Sequence, residues 1–227
     1  MPADNGQTME SSLPPVGRRE RSKLDKRMRI SAAARAVFNE FGYTRANMRE
    51  IAKRAGVATG TLFLYSPDKR NLLLWILNDD LEEVTAATFG ALERDHSGES
   101  LLDQLMFIFE ARYRYWGADP DLSLHALQEL IISRDAGTTP VSSHLASYQA
   151  RRVLMFDRLR DVVAAQQRAG FIDAEVDPDL IGRMTMAIYN AAIRTWLRSA
   201  EAPDFANGVG ELRALLALAL HGCLKTS

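Results

Sequence analysis

Residues Arg29 to Leu72 read RISAAARAVFNEFGYTRANMREIAKRAGVATGTLFLYSPDKRNL, and the apolar spacing within them decides the fold of this stretch. Ile30, Ala34, Val37, Phe38 and Phe41 recur at helical intervals and form one stripe. Gly42 stands where a left-handed cap would end the helix. Met48, Ile51, Ala52 and Ala55 repeat the pattern. Asn47 followed three residues later by Glu50 is a capping-box arrangement for this second helix, and Gly56 closes it. A short third helix runs from Thr59 to Tyr65. Ser66-Pro67-Asp68 then supplies an N-cap, a proline in the first turn and an acid near the positive helix end, so a fourth helix starts there. Ala55-Gly56-Val57-Ala58 is a tight link in which Gly56 can take a positive φ. Three short helices in this order outline a helix-turn-helix, whose second member crosses the phosphate backbone and holds the third in the major groove.

The charge around this stretch agrees. The chain of 227 residues has a net charge of −1, which looks unfavourable for a nucleic-acid partner. From Gly17 to Arg70, however, 14 basic residues face 5 acidic ones, whereas Asn71 to Ser227 holds 14 basic and 22 acidic. A basic segment joined to an acidic body fits a nucleic-acid-binding module with a separate second function. Arg18, Arg19, Arg21, Lys23, Lys26, Arg27 and Arg29 precede or open the first helix. A flexible basic arm at that place can enter a neighbouring minor groove.

The quoted residues resemble the DNA-binding domain of the TetR family of transcriptional regulators. The resemblance rests on Phe38 with Phe41-Gly42-Tyr43, on Ile51-Ala52 with Ala55-Gly56-Val57, and on Gly60-Thr61-Leu62 followed by an aromatic residue and Lys69. It implies a homodimer of helical subunits whose N-terminal domains bind a palindromic operator, and a small molecule in the larger C-terminal domain that releases it. Carried over residue by residue, Thr59, Gly60, Thr61, Phe63, Leu64 and Tyr65 face DNA, with Asn47 and Lys69 touching phosphate. Leu62 lies at core spacing. Ala58 stands where the family often has a capping Ser, Phe63 where Tyr is usual, and Leu64, Tyr65 and Ser66 depart as well. A recognition helix so poor in hydrogen-bonding side chains is expected to rely on thymine methyl contacts and phosphate positioning rather than guanine readout. Repressor rather than activator follows from the resemblance alone.

Outside this stretch the period stays helical. The expected helices run from Pro67 to about Arg94, Leu101 to Gly117, Pro120 to about Ser133, Val141 to Ala169, Pro178 to Arg198 and Asn207 to Leu224. No alternating strand pattern appears. The chain is read as all-α: a disordered basic arm over 1–21, a helix-turn-helix DNA-binding domain over 22–70, and a ligand-binding and dimerisation domain over 71–227. In the last of these, aromatic and methionine side chains crowd together without catalytic polarity. Tyr113, Trp116, Met155 and Tyr189 are expected to line a pocket for an apolar or aromatic small molecule, with His125 or Asn190 as polar anchors. The final two helices are apolar on more than one face. Ile188, Ala192, Trp196, Leu212, Leu216 and Leu220 are therefore expected at a four-helix dimer interface.

Other functions fare worse. The four histidines (His96, His125, His144, His221) show no metal-ligand spacing, and no Gly-rich phosphate loop or cysteine cluster is present, so neither catalysis, metal nor cofactor is expected. Cys223 is the single cysteine and is expected to be a small core residue. No apolar run reaches the roughly 18 residues of a membrane span, Met1 to Val16 lack a signal-peptide pattern, and a cytoplasmic location is expected. A helical adaptor that binds protein instead of DNA is the alternative, but it has no need of the segregated charge.

Overall fold

The computed structural model describes residues 17–135, 143–199 and 203–221. Among them nine helices are assigned: α1 Arg18–Arg45, α2 Met48–Arg54, α3 Thr59–Tyr65, α4 Lys69–Asp95, α5 Leu101–Gly117, α6 Pro120–Asp135, α7 Ser143–Arg168, α8 Pro178–Arg198 and α9 Phe205–Leu220. Cys223 and most of the expected arm lie outside the described residues. Arg18, Arg19 and Arg21, placed in the arm by sequence, belong instead to the first turns of α1.

The N-terminal core is the stripe expected from the sequence. Ile30, Ala34, Val37 and Phe38 of α1 close over Ile51 and Ala52 of α2 and Leu62 of α3, all of them buried. Gly42 breaks α1 with φ 72° and ψ 157°, an extended conformation reserved for glycine rather than the left-handed helical cap. Asn47 caps α2 by accepting the Glu50 N–H at 2.9 Å. Only half of the expected box forms, because the Glu50 carboxylate accepts from Arg54 Nε instead. At the other end Gly56 (φ 65°) and Val57 return their N–H groups to Lys53 and Ala52. That pair of bonds is the Schellman closure which turns the chain sharply into α3. The cap of α4 also differs from expectation. Asp68, not Ser66, accepts from Asn71 N at 2.7 Å, so Pro67 precedes the helix.

In the larger domain α4 packs on α5 and α7, and α8 packs on α7 and α9. Trp196 of α8 is wedged between α5 and α9. A Cβ on Gly117 would stand 2.8 Å from its ring and one on Gly208 2.5 Å, which accounts for a glycine on each neighbouring helix. Its Nε1 donates to the Asp204 carbonyl at 2.7 Å. Trp196 was expected at a dimer interface and is instead buried within the protomer. Ala192, Leu212, Leu216 and Leu220 are corrected likewise, since all four face the protomer's own core. Ile188 is half-buried. The opposite faces are the unpartnered ones: Leu180, Ala187 and Ala191 on α8, and Ala214, Leu215, Ala217 and Leu218 on α9, with Leu218 77% exposed.

Candidate nucleic-acid interface and ligand pocket

α3 has seven residues, and its side chains divide cleanly. Leu62 is fully buried and holds the helix against α1 and α2. Phe63 is 47% exposed and Leu64 87% exposed. Two large apolar side chains turned outward on so short a helix serve no packing purpose within the protomer. Gly60 is exposed, and nothing lies within 4 Å of the place its Cβ would take, so a partner can approach the backbone there. Thr59, Thr61 and Tyr65 are half-buried. Tyr65 stacks on Trp75 with ring centroids 6.3 Å apart. It also closes a shallow groove whose other wall is Arg18, Arg19, Ser22, Lys23 and Lys26 of α1.

The local excess of positive charge is also partitioned by the fold. Arg27 pairs with Asp79, Arg35 with Asp80, Arg54 with Glu40 and Glu50, and Arg70 with Glu129. These bridges fasten elements to one another. Arg18, Arg19, Arg21, Lys23, Lys26, Arg49 and Lys53 have no carboxylate partner among the described residues, and they sit at the start of α1 and on α2. Lys69 is a correction to the sequence reading. Its ammonium is turned inward, donating to the carbonyls of Tyr43, Thr44 and Ala46 at 2.7, 2.9 and 3.1 Å and lying 4.7 Å from the Tyr43 ring. Burial lowers its pKa below the usual lysine value. With all three N–H bonds used, it ties the start of α4 to the end of α1.

The two domains meet along α1, α4, α5 and α6. The Asp80 carboxylate of α4 accepts from the Arg35 guanidinium of α1 and, at 3.0 Å, from the Tyr115 hydroxyl of α5. Burial and the Asp80 charge push the Tyr115 phenol well above its ordinary pKa, so it remains a donor. His125, expected as a ligand anchor, lies here against the Tyr43 ring with centroids 5.1 Å apart. Trp116 lines a small cavity at this junction together with Arg35, Leu77 and Asp80.

A second cavity, of about 180 Å³, opens between α4, α5, α7 and α8. Its apolar lining is Leu81, Ala86, Leu154, Met155 and Met186; its polar lining is Asn78, Glu82, Thr85 and four arginines, Arg112, Arg151, Arg152 and Arg158. Leu154 and Arg158 also line a groove that continues along α4 and α7 past Phe89, Leu92 and Val162. Of the expected ligand residues only Met155 borders this cavity. Tyr113 and Tyr189 are fully buried behind it, Tyr113 tilted against Trp196 and Tyr189 stacked on Phe109, and Asn190 borders none of the cavities described here. The arginines escaped the sequence reading, although Arg112 carried a signal. It continues the apolar stripe of Leu105, Ile108 and Phe109 at helical spacing, a register where a charge is out of place.

These two surfaces can be compared with known proteins. Residues 30–76 match the family model described as bacterial regulatory proteins, tetR family. Residues 30–76 are thus similar to the DNA-binding domain of the tetR family. It is 40% identical over 79 residues to the HTH-type transcriptional repressor KstR of Mycolicibacterium smegmatis, a match covering 35% of this chain and 36% of that one. It is 22% identical over 202 residues to the fatty acid metabolism regulator protein of Bacillus subtilis, covering 88% of this chain and 98% of that protein. Among solved structures, Thermus thermophilus FadR in complex with lauroyl-CoA aligns with a TM-score of 0.65 at 24% identity over 88% of this chain and 96% of that one. That last likeness carries the fold. The relatives named here are transcriptional repressors and regulators, not enzymes. No helix among the described residues is long and apolar enough to cross a membrane.

Proposed function

We propose that this protein is a homodimeric repressor that docks on a palindromic operator through α3 and is released when a small, largely apolar ligand enters the cavity between α4, α5, α7 and α8. The observation that carries the proposal is the exposed apolar face of α3 flanked by unpaired cations. Thr59, Gly60, Thr61, Phe63 and Leu64 enter the major groove, and Phe63 and Leu64 meet thymine methyls. Arg18, Arg19, Lys23 and Lys26, with the Tyr65 edge, position the head on phosphates. Asn47 serves as a cap whose amide nitrogen is left for phosphate. The exposed faces of α8 and α9 pair with those of a second copy, bringing two heads to successive major grooves roughly 34 to 36 Å apart.

α4 supplies the coupling. It is bridged to α1 through Asp79 and Asp80, about three turns from its start, and residues from Asn78 to Ala86 line the cavity. Arg151 of α7 closes the cavity by bonding both the Asn78 carbonyl and the Glu82 carboxylate of α4. A ligand that parts α7 from α4 breaks this clasp and shifts α4, and the Arg35–Asp80–Tyr115 cluster carries the shift to α1. The allosteric effect is then the difference in ligand affinity between the two states. The complexes of FadR relatives with lauroyl-CoA and stearoyl-CoA support fatty acyl compounds as the first ligands to try. Gel-shift titration with DNA flanking the protein's own gene tests the proposal. A discrete complex that dissociates on adding an acyl ligand is expected, and a protein that retards no duplex overturns it in favour of an adaptor.

A further inference from the structure

Arg112 of α5 is only 8% exposed, yet its side chain lines the cavity. A guanidinium cannot escape burial by losing its proton, so it needs an anion or a dense set of acceptors. It has neither among the described residues. Among the described residues no Asp or Glu lies within ion-pair distance of Arg112, and its two side-chain bonds are long and neutral. Nε donates to the Tyr189 hydroxyl at 3.4 Å, and Nη1 donates to Thr85 Oγ1 at 3.3 Å. The Tyr189 ring lies 5.6 Å from the guanidinium carbon, and its hydroxyl already accepts from Trp116 Nε1 at 2.8 Å. The other arginines of the cavity are differently placed. Arg151 is answered by Glu82, Arg158 is exposed at the rim over the Phe89 ring, and Arg152 is half-buried over the Phe156 ring.

A buried cation without a counter-charge, at the inner wall of an apolar slot, is a group kept for a ligand. We propose that Arg112 is the anchor for the anionic head of an amphiphile, a carboxylate whose two oxygens take the guanidinium in bidentate fashion while its chain lies along Leu81, Leu154 and Met155 toward the groove between α4 and α7. A guanidinium at the inner wall is answered by a free carboxylate, which an ester or thioester lacks, so the free acid is the form expected inside. The inference rests on the ligand-release reading above and narrows its ligand class. It also reaches the domain junction, because Arg112 and Trp116 share the Tyr189 hydroxyl.

Isothermal titration of the full-length protein with decanoate, 1-decanol and decanoyl-CoA tests it. Wild type is expected to bind decanoate at least about tenfold tighter than 1-decanol, the scale of a charged hydrogen bond. Arg112→Met should bind the two alike and should raise the melting temperature of the ligand-free protein, because an unanswered buried charge has been replaced by an apolar side chain. Equal affinities in wild type overturn the proposal, as does a preference for decanoate that survives in Arg112→Met. So does a variant that no longer folds, because a guanidinium that holds the fold together is not reserved for a ligand. If decanoyl-CoA alone binds, and loses affinity in Arg152→Gln or Arg158→Gln but not in Arg112→Met, the anion sits at the rim. That outcome removes Arg112 from the site and leaves the ligand-release reading standing. If no probe binds or dissociates the DNA complex, both fail.

Discussion

Gly60 and Leu64 separate the demands of folding from those of binding. The space beside Gly60 is empty, and Leu64 is almost fully exposed. Gly60→Ala should therefore leave the fold intact or stabilise it by about 0.5–1 kcal/mol. If DNA approaches this backbone, the same change should weaken operator binding roughly tenfold, about 1.4 kcal/mol. A thermal melt and an anisotropy titration of one variant check both halves. Lys69 argues in the other direction. Lys69→Met strips three carbonyls of their shared donor and should destabilise the protein by about 2 kcal/mol in a denaturant titration. The sequence pattern marked Lys69 by analogy of position, but an ammonium's target depends on which carbonyls the folded chain brings within 3 Å, and spacing does not show that. Arg19→Ala and Lys23→Ala should each reduce the salt slope of operator binding by about 0.9 if each neutralises one phosphate.

The helices themselves were largely legible in the sequence because their ends are written in short-range chemistry. Asp119-Pro120 and Asp177-Pro178 open α6 and α8 as expected, and Gly170 follows α7 with φ 83°. α3 spans the residues that the spacing predicts. What spacing left undecided is which of two apolar faces turns inward. α8 and α9 each carry an inner and an outer apolar face, and the expected dimer set was drawn from the inner one. The choice is made by Trp196, whose ring requires Gly117 and Gly208 opposite it. Gly208→Ala should accordingly cost about 1–3 kcal/mol by overpacking, read as a lower melting temperature. Leu218→Glu, on the outer face of α9, should leave the protomer folded and shift its mass in light scattering from dimer to monomer. A dimer that persists would place the interface elsewhere.

For the whole molecule, the basic head is joined to the acidic body by ion pairs laid over a continuous apolar core. Ligand binding was the least legible part of the sequence, since a cavity is formed by α4, α5, α7 and α8 together and aromatic crowding proved to mark the core behind it. In the proposed mechanism the Asp80 cluster is the path by which the two halves communicate. Tyr115→Phe removes one of its bonds and should leave both DNA affinity and ligand affinity within about threefold while raising the ligand concentration needed for release, because coupling is a free energy separate from either binding event. Whether the head reads DNA at all is decided by anisotropy of a labelled duplex flanking the protein's own gene, titrated with wild type and with Leu64→Ser at several salt concentrations. The structure predicts saturable binding by two protomers per site that weakens steeply with salt, exceeds binding to a scrambled duplex, and is lost in Leu64→Ser without loss of fold. Equal binding to the scrambled duplex, or full binding by the variant, would contradict the assignment of α3 as the recognition element.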